Sequence, residues 1–154
     1  MVPTLAAWIG EGKLQALTTL FYERVADDPL LAPIFAHMDA AHPQHVAAFI
    51  TEVFGDGTPY TAAGGSHAGM IARHMERHLT EAQRRRWMDL MLDTADAVGL
   101  PDDPEFRSAF IGYLEWGTRL AVLNSQPGAT APSGTTPMPT WGWGPPGGPW
   151  IEKA

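Results

Sequence analysis

The stretch GGSHAGMIARHMERHLTEAQRRRW, Gly64 to Trp87, decides how this chain is read. Gly64-Gly65 gives a flexible entry. Ser66 is suited to cap a short helix that carries His67, Met70, Ile71 and His74 at helical spacing. Six residues after His74, Thr80 and Gln83 form the S/T-x-x-E/Q capping box of a second helix. That helix carries Trp87, Leu90, Met91, Ala95 and Val98 on its apolar side, and Gly99 ends it. A histidine thus sits on a short helix, and a tryptophan follows on a long one.

The same periodicity runs outward in both directions. Lys13 to Ala26 has Leu14, Leu17, Phe21 and Val25 three or four residues apart. Asp28-Pro29 restarts the chain, with Pro29 fit for a first helical turn, and Leu30 to Phe35 reads as a short helix. Pro43 starts a helix running to Phe54, with Val46, Phe49, Ile50 and Val53 on one side. Gly55 to Gly65 reads as a loop. Asp103-Pro104 opens a last helix through Phe106, Phe110, Tyr113 and Leu114 to about Asn124. No strand pattern and no repeat interrupts this series. The class is all-α, with about seven helices.

The 154 residues are 45% hydrophobic and 18% charged, a globular composition for about one domain. No run approaches the ~20 apolar residues of a membrane span, so no membrane association is expected. Met1 to Gly10 lacks the basic n-region and cleavage site of a signal peptide. There are no cysteines, which excludes disulfides, cysteine catalysis and thiolate-held iron–sulfur clusters, and fits a cytoplasmic location. The net charge of −7 argues against nucleic acid as a partner.

The chain divides at about residue 126. The 28 residues 127–154 hold seven of the fourteen prolines, six of the sixteen glycines and three of the six tryptophans, Trp141, Trp143 and Trp150. Regular structure is not expected there. Three indoles are nevertheless unusual in a free linker, and the expectation is an extended strap that packs at least Trp141 or Trp143 on the domain or on a neighbouring subunit, the rival being a mobile tail with solvated indoles.

Chemistry must come from few groups. None of the six histidines falls in H-E-x-x-H or H-x-x-E-H, and a zinc site would need three or four convergent ligands. No phosphate-binding glycine motif and no G-x-S-x-G occurs. Arg84-Arg85-Arg86 reads as a solvated helix face, or else as a docking patch for an acidic redox partner. What remains is an all-α domain with Phe21, Tyr22, Phe35, Phe49, Phe54, Trp87 and Trp116 around a lone histidine, His74. That is the setting haem requires: an apolar slot, one neutral imidazole and nearby cations.

The ordered set Phe21-Tyr22, Asp28-Pro29-Leu30, Phe35, Phe54-Gly55, Tyr60-Thr61, Gly64-Gly65, Arg73-His74, Trp87 and Tyr113-Leu114-Glu115 resembles the truncated haemoglobin family, specifically group II, over about residues 5 to 126. The resemblance implies a two-over-two helical sandwich around one haem b, with residues 1–126 as globin domain and 127–154 as an extension. It carries His74 over as the iron ligand and Arg73 as a cation near a propionate. Tyr22 and Trp87 match the polar distal residues, and Phe35 an aromatic packed on the haem face. The distal helix departs from the family pattern: between Phe35 and Phe49 it is one residue shorter. The register places His42 facing the iron, Val46 one turn on, beside Phe49 in the slot, and His45 toward the propionate edge. Because His42 precedes Pro43 it should be extended, which leaves ligand, cap and gate all open. His78 is placed near a propionate.

The implied function is binding of O2, NO, CO or similar small ligands. Whether NO dioxygenase- or peroxidase-like turnover follows is open, as is a homodimer. Turnover would need a separate electron donor, because no reductase domain fits in this length. The alternative is a cofactor-free helical module that binds a partner through its Trp-rich tail.

Overall fold

The fold was obtained as a computed structural model that describes residues 2–149. Seven α-helices and one 3-10 turn make up the regular structure of the described residues. Helix α1, Leu5–Ile9, starts where the Thr4 hydroxyl accepts from the Ala7 N–H at 3.1 Å. Helix α2, Lys13–Ala26, buries the stripe Leu14, Leu17, Phe21 and Val25. Helix α3 spans His42–Val53, α4 Pro59–Ala62, α5 His67–His74, α6 Glu81–Ala97 and α7 Pro104–Asn124.

The caps fall where the sequence puts them. Ser66 Oγ accepts from Gly69 N–H at 3.0 Å. Thr80 and Gln83 close a complete capping box. Asp103 accepts from Phe106 N–H at 3.0 Å.

Other local expectations are corrected. Pro29 lies in a turn outside any helix, because Asp28 Oδ1 accepts from the N–H groups of both Leu30 and Leu31 and holds the chain in an Asx turn. The 3-10 turn begins only at Ala32. The stretch 55–65 is no plain loop: Glu52 accepts from the N–H groups of Tyr60 and Thr61 and pins the short helix α4.

Helix α2 packs on α3, and α6 packs on α7; a contact of α2 with α6 joins the two layers, while α5 leans on α7. Phe21, Phe54, Phe106, Phe110, Leu17 and Met91 are fully buried between them. The arginine run ties the layers together. Arg84, its side chain only 4% exposed, pairs with Glu81 at 2.6 Å and with Glu115 of α7 at 3.3 Å. Arg86 pairs with the buried Asp28. Arg85 and Arg86 both face water, Arg86 while paired to Asp28. The solvated-face and docking-patch readings therefore fail for Arg84, whose charge is spent inside the fold.

The proline-rich segment lies along α1, α3 and α7. Trp141 N–H donates to the Val53 carbonyl at the end of α3 at 2.9 Å. Trp143 is buried, and its indole N–H donates to the Pro3 carbonyl at 2.8 Å. Trp150 lies outside the described residues.

Candidate functional site

An apolar cavity of about 530 Å3 opens between the layers, within the 300–1,000 Å3 typical of cofactor and ligand sites. Tyr22, Phe35, His42, His45, Val46, Phe49, Arg73, His74 and Trp87 all line it. The structure thus brings these nine residues together.

One wall is built by α5. His74, the last residue of that helix, places Nδ1 2.8 Å from the Met70 carbonyl one turn back. A carbonyl can only accept, so Nδ1 carries the proton and Nε2 keeps its lone pair. Burial, reinforced by the charges of Arg77 and Arg73, pulls the proton affinity of His74 below the ordinary histidine range, against the opposing pull of the Met70 carbonyl. The result is a neutral imidazole with a fixed ring, the form a metal takes as ligand.

A second group is built from α2, α3 and α6. Tyr22 is buried in an aromatic cage, edge-on to Phe21, Phe35 and His42 at 5.0, 5.5 and 4.8 Å between ring centres. Burial raises the phenol's proton affinity, so it remains a hydroxyl. Its oxygen lies 3.0 Å from His42 Nε2. Trp87 meets the cage edge-on to Phe21 at 5.2 Å, and its indole is half-buried. Phe49 is buried edge-on to Tyr60 at 5.0 Å. Val46 packs on the core from the same helix, whereas His45 is exposed at the rim.

His42 is helical, the first residue of α3, which corrects the extended conformation expected of it. Pro43 falls in the first turn, where a missing N–H costs nothing. His42 N–H donates to the Asp39 carbonyl at 2.9 Å. Burial, with the charges of Arg73, His45, His74 and Arg77, pulls its ring down to about 4.

His78 does not line the cavity. Helix α5 stops at His74, and Glu76 and His78 take positive φ of 62° and 54°, so the i+4 spacing from His74 no longer puts the two on one face. Arg77 lines the cavity instead, its guanidinium donating to the Arg73 carbonyl.

His67, Met70 and Ile71, placed by their spacing on the helix of His74 but not assigned to the site from sequence, also line the cavity. His67 is buried, tilted against Phe49 and Trp116 at 6.3 and 6.2 Å, and its Nδ1 has no hydrogen-bond partner among the described residues.

The donor set fits haem. The cavity is lined mainly by apolar and aromatic groups, the pinned neutral imidazole of His74 could give an Nε2 lone pair to iron, and Arg73 and Arg77 could supply cations for propionates. Helices in two packed layers around such a cavity match the architecture of a globin.

Comparison with known proteins agrees. The model of the bacterial-like globin family matches residues 7–115. The group 2 truncated hemoglobin YjbI of Bacillus subtilis is 37% identical over 118 residues, which cover 77% of this chain and 87% of that protein. Among solved structures, the truncated oxygen-avid haemoglobin of Bacillus subtilis is similar, with a TM-score of 0.69, 34% identity, and 78% and 99% of the two chains covered. The hemoglobin of Chloroflexus aurantiacus gives 0.68 at 27% identity, with 77% and 97% covered. The chain belongs to the bacterial-like globins, as a group II truncated haemoglobin. Its cofactor is haem, and its ligands are small diatomic molecules such as O2. Among the described residues no helix is long and apolar enough to cross a membrane.

Proposed function

We propose that the chain is a haem b protein that holds O2 tightly, with His74 as the iron ligand and Tyr22 and Trp87 as the groups that hold the bound ligand. The pinned Nδ1 of His74 at the cavity wall carries this reading. Haem, when bound, supplies an iron that takes up O2, NO or CO.

The rest is the chain's own work. Met70 fixes the tautomer and ring plane of His74. Arg73 and Arg77 would offset the two propionate charges. Tyr22, held as a hydroxyl by burial, and the indole N–H of Trp87 would donate to a polarised ligand; such charge-assisted bonds are worth roughly 1.5–3 kcal/mol each. His42 sets the hydroxyl of Tyr22. Its ring is neutral at pH 7, and a phenol is the stronger donor of the two, so the Tyr22 O–H points to His42 Nε2 and must turn from it to reach a ligand. Phe35 and Phe49 keep water from the slot.

A ligand held by two donors leaves slowly, which suits chemistry on the ligand better than oxygen delivery. Conversion of NO or peroxide would draw electrons from a separate donor in a reducing cytoplasm. Stopped-flow measurement of O2 dissociation tests the reading. A slow rate that rises in Tyr22→Phe and Trp87→Phe supports it, and rates unchanged in both reduce these residues to packing.

A further inference from the structure

The family match stops at residue 115. The segment beyond α7 lies outside it, and its two described tryptophans do different things. Trp143 docks away from the cavity. Its ring meets Trp8 of α1 edge-on at 6.1 Å and its N–H is taken by the Pro3 carbonyl. None of Trp143, Trp8 and Pro3 lines the cavity.

Trp141 docks behind the cavity wall. Its ring centre lies 5.8 Å from that of Tyr113 and 5.9 Å from that of Trp116, and both of these line the cavity. Trp116 in turn lies 6.2 Å from His67, the first residue of the helix that ends in His74. The indole lies directly over Gly112 of α7, where an added Cβ would be in ordinary contact with Trp141 Cζ2 at 3.5 Å. Its backbone is fixed as well, through the bond from Trp141 N–H to the Val53 carbonyl at the end of α3. Earlier in the same segment, the Pro137 carbonyl lies beside the His67 ring, and Met138 packs on the core.

The geometry points to Trp141 as a positioning residue of the haem cavity: through Tyr113 and Trp116 it braces the wall against which α5 and His67 rest, and so governs how firmly haem is retained. The inference rests on the haem reading of the cavity. In this wall Trp116 is itself 38% exposed and His67 Nδ1 has no hydrogen-bond partner among the described residues. Aromatic edge contacts favour one relative geometry of the rings, so the brace fixes orientation as well as filling space. Trp143 serves as the internal control, since it anchors the same segment without touching the wall.

The test is transfer of haem from the loaded full-length chain to excess apomyoglobin, with melting temperature followed in parallel. Trp141→Ala should release haem about tenfold faster, because it loses two ring contacts at once. Trp141→Phe, which keeps a ring, should restore most of the retention. Trp143→Ala should lower the melting temperature and leave haem release at the wild-type rate. Trp141→Leu replaces the alanine variant if that one does not fold. Haem release from Trp141→Ala or Trp141→Leu at the wild-type rate would overturn the inference, as would equal acceleration by Trp143→Ala. A wild-type chain that takes up no haem overturns the haem reading and this inference with it. Haem uptake with equal release rates overturns only the brace.

Discussion

His42 and Tyr22 share one hydrogen bond across 3.0 Å, and the direction of that bond decides what the tyrosine can do for a ligand. With the phenol donating, His42 competes with the ligand for the proton. His42→Leu should therefore slow O2 dissociation by about fivefold, the worth of one neutral hydrogen bond near 1 kcal/mol. Tyr22→Phe and Trp87→Phe act the other way and should each speed it by ~10-fold or more. Their double variant should fall short of the product, because the two donors share one acceptor. His42 also links folding to acid. Folding holds it neutral down to about pH 4, while in the unfolded chain it protonates near its ordinary value of about 6.5. Between those values the unfolded state binds the extra proton, so this residue makes stability fall as pH drops through that window. A thermal-melt series across it should be flatter in His42→Leu. Tyr22, His74 and Trp87 were singled out through the resemblance to the truncated haemoglobins rather than by spacing alone. The sequence could not show the His42–Tyr22 bond, because twenty residues and a turn separate the partners.

Helices α2, α5, α6 and α7 were legible because each carries its own start signal or a clean apolar period. The capping box at Thr80 and the Asp103-Pro104 start need no tertiary context. Helices α1 and α4 were not legible, since five and four residues are too few to show a period. Helix α4 depends on Glu52, a side chain from another element. Arg84 misled for a related reason: charge reads as surface until its partners are known. Asp28 shows what such a partner is worth. Burial pushes its carboxyl up, but the Arg86 side chain and the N–H groups of Leu31 and Leu30 outweigh that and hold it below the usual carboxylate range. Asp28→Ala removes the Asx turn and leaves Arg86 without its partner. It should cost about 1.5–3 kcal/mol in denaturant unfolding at neutral pH. The deficit should shrink as acid protonates Asp28 in the wild type, because a depressed carboxyl loses its stabilisation as pH falls through its folded value. A deficit that stays constant into strong acid would assign the loss to the turn alone.

At the scale of the whole molecule, the chain wraps two helical layers and a strap around one cavity. Composition announced the change at residue 127, and the three tryptophans announced that the segment has something to bury. Where the indoles dock was hidden, because Gly112 and the Val53 carbonyl are ordinary features until the fold brings the tail to them. Everything claimed for function converges on His74, the residue whose ring the fold pins by its own backbone. The most direct test is the absorbance spectrum of purified His74→Gly beside the wild type, with and without added imidazole. The wild type should show the Soret band of a haem held one per chain. The variant should lose haem or hold it only when imidazole fills the vacated place. Full haem retention with an unchanged spectrum in His74→Gly would contradict the account.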